Sequence, residues 1–100
     1  MQPLSRKRHP LSRDEAEALA IDALGFLADE ENRLAAFLQA SGLAPADLRR
    51  AAGSVEFLAG VLDFLAADES LLLVFASARH IAPETVLHAR QKLLPDTADF

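Results

Sequence analysis

Three side chains stand at a spacing that could bind a metal: His80, Glu84 and His88, each four residues from the next. On one uninterrupted helix they would share a face. Pro83 intervenes, however, and proline is favoured at the first turn of a helix, which places His80 outside the register of the other two. There is neither an H-E-x-x-H string nor a further ligand at a suitable distance, so the pair reads as capping or surface groups. The carboxylates form two clusters, Asp29-Glu30-Glu31 and Asp68-Glu69. General acid–base work needs two carboxyls in contrasting surroundings. These clusters instead stand where helices begin, which is where acids complement the macrodipole. Asp63 differs, lying inside an apolar stretch, where it is either exposed between packed faces or paired with an arginine. Ser41, Ser54, Ser70 and Ser77 lack a G-x-S-x-G setting. Four glycines make no phosphate loop, and the absence of cysteine removes thiolate chemistry and disulfides. No catalytic residue, cofactor or metal ligand is assigned.

Charge divides the chain unevenly. Residues 1–13 hold Arg6, Lys7, Arg8 and Arg13 and no acid, whereas residues 14–100 hold six basic and fifteen acidic groups. Residues 1–11, with Pro3 and Pro10 and no apolar periodicity, read as a flexible basic arm. Arg6, Lys7 and Arg8 are candidate polyanion contacts, good for a weak, salt-dependent grip on phosphates. Arg49 and Arg50, and separately His88, Arg90, Gln91 and Lys92, could serve a recognition helix. The acidic body opposes nucleic acid, which therefore stands as the alternative reading.

The elements that must position these residues are helices. Ser12-Arg13-Asp14-Glu15 is a capping box, followed by the stripe Ala16, Leu19, Ala20, Ala23, Leu24 and Leu27. A second helix opens at the acids after Ala28 and stops at Gly42. A short third begins at Pro45, and a fourth follows Ser54. A fifth follows Asp68 and is apolar nearly all round, which reads as a buried central column. The sixth runs from Pro83 to about Leu93. The expectation is one all-α domain over 12–94, with a loose tail over 95–100. The longest apolar run, Leu71–Ala76, is far short of the roughly 20 residues of a membrane span. With no apolar region following the basic start, a cytoplasmic chain is expected.

An internal repeat organises the helices. Sliding the sequence by 38 residues aligns 24–45 with 62–83, with ten of 22 positions identical, including Phe26/Phe64, Phe37/Phe75 and Ala44-Pro45/Ala82-Pro83. Two three-helix units are expected, closing face to face about a pseudo-twofold axis into a compact six-helix bundle. The second unit is the more apolar. Phe57, Leu58, Val61, Phe64, Leu71 and Leu73 exceed what one small core needs, and they form the candidate surface for an unidentified protein partner or for self-association.

The run Ala18–Ala28, then Gly42-Leu43-Ala44-Pro45-Ala46-Asp47-Leu48-Arg49, then Phe57–Leu65 and Asp68-Glu69-Ser70-Leu71-Leu72 resembles the alphaproteobacterial family catalogued as domain of unknown function 3572. The resemblance covers about residues 13–94. It implies a small stand-alone bacterial cytoplasmic protein and supplies no activity, cofactor or functional residue. Taken with the apolar excess, it leads to a small protein-interaction or regulatory module as the expected function.

Overall fold

The computed structural model describes residues 11–94. The basic arm and the tail lie outside the described residues, apart from Leu11, which is partly buried against the core. Six α-helices follow one another: α1 (Arg13–Ala28), α2 (Glu31–Ser41), the short α3 (Leu48–Ala51) entered through a 3-10 turn (Pro45–Asp47), α4 (Val55–Ala66), α5 (Glu69–Arg79) and α6 (Pro83–Leu93). The described residues contain no strand.

The helix starts follow from local chemistry. The Ser12 hydroxyl accepts from the Glu15 backbone N–H at 3.0 Å, while the Ser12 N–H donates to the Glu15 carboxylate at 2.8 Å. Two N–H groups that α1 would otherwise leave unpaired are thereby satisfied. Ser54 caps α4 and Asp68 caps α5 through the N–H groups of Phe57 and Leu71. The ends are equally specified. Gly42 closes α2 with φ 78°, and His80 closes α5 with φ 58° and ψ 43°. The second is the left-handed cap in a residue that carries a Cβ, at a strain of about 1 kcal/mol. The Ile81 N–H returns to the Ala76 carbonyl across that turn.

The core is built by α1, α4 and α6, which pack on one another. From α1 come Ala16, Ala20, Ala23, Phe26 and Leu27, and from α6 Val86, Ala89 and Leu93. Small side chains on α1 let its neighbours approach closely. The centre is α4, which touches α1, α2, α5 and α6 and buries Leu58, Ala59, Val61, Leu62 and Leu65.

This corrects the reading of the fifth helix as the central column. Only Leu72, Phe75 and Ala76 of α5 are buried, while Leu73 and Val74 are each 47 % exposed. Its apolar circumference exceeds its packed face, so apolarity all round does not mark the middle of this bundle. The third helices also differ between the two halves. The segment from Pro45 to Ala51 has no buried residue, whereas α6 lies against both α1 and α4.

Two ion pairs link different helices. Arg79 at the end of α5 donates to Asp22 of α1 at 2.7 Å, and Arg90 of α6 lies 3.4 Å from Asp63 of α4. The second answers the question that Asp63 posed: it is exposed and stands beside an arginine.

Candidate interaction surface

Between α2 and α4 an open groove of about 440 Å³ runs over aromatic rings. Phe37 comes from α2, Phe57 and Phe64 from α4, and Ala40, Ser41, Gly60 and Ala67 complete the apolar and small lining. Phe37 is buried, and both other rings meet it edge to face, with centroids 5.6 Å away for Phe57 and 5.3 Å away for Phe64. Each of those α4 rings is half-buried. Positions 57, 60, 61 and 64 fall three and four apart on α4. Phe57, Gly60 and Phe64 therefore share the groove side, while Val61 turns inward.

The two charged residues that line the groove, Glu56 and Asp63, are both acidic. Its own backbone N–H and then the Ser54 hydroxyl, which donates at 3.0 Å, hold the Glu56 carboxyl below the usual carboxylate range. The charge of Arg13 acts in the same direction. Glu56 therefore stays ionised well into mild acid.

A second ring pair lies elsewhere in the bundle. Phe26 and Phe75 meet edge to face at 5.1 Å. The Arg33 guanidinium sits 4.4 Å from the Phe26 centroid, and that of Arg79 sits 5.7 Å from Phe26 and 5.4 Å from Phe75. The hydrogen bond to Asp22 raises the Arg79 pKa further above neutrality.

The residues expected to form a partner surface divide into three groups. Leu58 and Val61 are buried and are withdrawn from it, because α4 is central and its inward side is consumed by α1 and α6. Phe57, Phe64 and Leu71 are partly buried and pack against the core, and Phe57 and Phe64 also line the groove. Leu73 is exposed beside Val74 on the outer side of α5. Arg6, Lys7 and Arg8 lie outside the described residues. Of the metal-like trio, His80 is the left-handed cap of α5 and His88 is exposed on α6. Among the described residues no group of three or more His, Cys, Asp or Glu could hold a metal ion. Arg50 pairs with Asp47 of its own turn at 2.7 Å.

Sequence reasoning did not single out Ser41, Glu56 and Gly60 as groove residues, nor did it show that the buried Phe37 would form the floor of a groove. Phe37 reads as the inner face of its helix, and nothing in a linear pattern says that α2 leaves its aromatic floor partly uncovered. The 38-residue offset held one available signal, since it pairs Ser41 with Arg79.

Among the described residues, no helix is long and apolar enough to cross a membrane. Comparison with curated proteins and with solved structures gave no match. The model of the family described as "Protein of unknown function (DUF3572)" matches residues 13–96, from the first residue of α1 past the end of α6, and the chain belongs to that family.

Proposed function

We propose that this chain is a small bacterial protein-interaction or regulatory module, cytoplasmic and without catalytic activity. The observation that carries the reading is the solvent-open groove over Phe37, Phe57 and Phe64. Aromatic side chains offer large, rigid contact area, and they anchor interfaces more often than other residue types. Leu73 and Val74, exposed on α5, add apolar surface that a partner or a second copy can cover.

The test is affinity capture from a nuclease-treated native lysate by the full chain and by a Phe57→Ala variant. Sedimentation of the purified chain runs alongside to detect self-association. A stoichiometric protein held by the wild type and released by Phe57→Ala supports the module. Recovery of nucleic acid and its bound proteins alone from a parallel untreated lysate, lost after nuclease or in a variant with Arg6, Lys7 and Arg8 all changed to alanine, replaces it with the nucleic-acid reading.

A further inference from the structure

The groove has a counterpart in the same molecule, and the difference between the two names an occupant. The 38-residue offset carries Phe26 onto Phe64 and Phe37 onto Phe75. Each half thus contributes one ring to each edge-to-face pair, Phe26–Phe75 and Phe64–Phe37. The first pair is flanked by two guanidinium groups: Arg33 lies 4.4 Å from the Phe26 centroid, and Arg79 lies within 6 Å of both centroids and donates to Asp22 at 2.7 Å. Arg79 is the last residue of α5, immediately before the left-handed cap His80. At the matching place, Ser41 is the last residue of α2, immediately before the left-handed cap Gly42. Where Asp22 would fall, the offset places Gly60. Ser41 and Gly60 both line the groove, and a Cβ added at Gly60 would meet nothing within 4 Å. The second ring pair therefore has no arginine at the place of Arg79 and has Leu71 at the place of Arg33, while Phe57 packs on the buried Phe37 and leaves Phe64 partly exposed. Room is left at the place of Arg79, and the charged groups around that room, Glu56 and Asp63, are both acidic.

We infer that the groove is an arginine seat. It receives an arginine side chain from a basic segment of a partner protein, with the guanidinium against the partly exposed rings of Phe57 and Phe64, above the buried Phe37, much as Arg79 lies over Phe26 and Phe75. Glu56 supplies the negative charge that Asp22 supplies to Arg79, and Asp63 adds to it while standing 3.4 Å from Arg90. The inference rests on the interaction-module reading and deepens it by giving the partner's chemistry. Arginine suits the seat better than lysine, because its planar fork stacks on a ring while donating to a carboxylate. Cation–π attraction and one solvated ion pair are individually weak. An isolated arginine therefore binds with a dissociation constant on the order of millimolar, and it serves as one anchor within a larger contact.

The experiment is an NMR titration of the isotope-labelled full chain with a blocked Gly-Arg-Gly tripeptide, with the citrulline tripeptide as a neutral isostere. The expected result is saturable movement of the Ser41, Gly60 and Ala67 amides with arginine, and binding weaker by about fivefold or more with citrulline. The double variant Ser41→Arg/Gly60→Asp builds the Arg79–Asp22 arrangement into the groove and should abolish the response. Asp63→Asn and Glu56→Gln, which leave the backbone chemistry alone, should each weaken it. No saturable movement, or equal movement with citrulline, overturns the seat. Movement of the same amides when Arg6, Lys7 and Arg8 are replaced by alanine, with no peptide present, makes the chain its own occupant and overturns the partner assignment. A captured protein retained by Ser41→Arg/Gly60→Asp also overturns the seat while the module reading stands. Arginine binding with no captured protein overturns the module and its partner while the seat chemistry stands.

Discussion

Phe26 of α1 packs edge to face against Phe75 of α5 with ring centroids 5.1 Å apart, joining helices that lie in different halves of the chain. The Phe37–Phe64 contact has the same form with the halves exchanged, at 5.3 Å. Phe75 is fully buried, so Phe75→Ala should destabilise by about 3–5 kcal/mol. A double-mutant cycle with Phe26→Leu and Phe75→Leu, read by urea unfolding, should give a coupling of about 0.5–1.5 kcal/mol. A coupling near zero would leave the ring geometry without energetic weight.

The left-handed cap at His80 makes a stabilising substitution available. His80→Gly should raise stability by about 1 kcal/mol, since the backbone keeps φ 58° and the Cβ strain is removed. Gly42→Ala at the corresponding place in α2 should lose a similar amount, about 1 kcal/mol. Thermal unfolding of the two variants checks both signs.

Ser12→Ala removes one half of a reciprocal cap and should cost about 1 kcal/mol. Glu15→Ala removes the other half and should cost less, because the Ser12 hydroxyl still reaches the N–H of residue 15. Hydrogen exchange should show the loss confined to the first turns of α1.

The Arg79–Asp22 pair predicts a diagnostic salt response. Arg79→Gln should lower the urea midpoint at low salt, and the deficit should shrink but persist in concentrated sodium chloride. Screening removes the ionic part, whereas the position of Arg79 over Phe26 and Phe75 gives a packing contribution that salt leaves in place. Complete loss of the deficit in salt would assign the whole contribution to charge.

Glu56 gives a pH dependence with a definite sign. Its carboxyl pKa is lower in the folded chain than its ordinary value, mainly through its own backbone N–H and then Ser54. Its contribution is therefore fully present above the ordinary carboxylate pKa of about 4.3 and is lost as pH falls through the lower folded value. Glu56→Gln should match the wild type less well at pH 6 than at pH 3. A stability difference independent of pH would contradict that assignment.

Much of the fold was legible because its punctuation is local. Ser12 and Glu15, Ser54, Asp68, Pro45, Pro83 and Gly42 each fix a boundary through a hydrogen bond or a dihedral preference that involves only near neighbours. Depth within the bundle is different. Leu73 and Leu62 look alike in a linear reading, and yet Leu73 is half exposed and Leu62 fully buried. Which one is covered depends on how the helices pack, with α4 set among α1, α2, α5 and α6, and no local pattern states that. The interaction surface was half legible for the same reason: Phe57 and Phe64 carry a visible apolar excess, but Ser41 and Gly60 acquire meaning only beside Arg79 and Asp22.

The alanines at 16, 20 and 23 of α1 give the bundle a tolerance set in tenths of a nanometre. Helices separated by methyl groups sit near the short end of the roughly 8–10 Å range of axis distances, and a rigid rod cannot yield at one point alone. A longer side chain at any of the three would force α1 apart from the helices that pack on it, α4 and α6 among them, and those two helices carry the Asp63–Arg90 pair at the rim of the groove. The alanines act as a gauge block: these small residues of α1 set the dimension to which the helices packed on it are built.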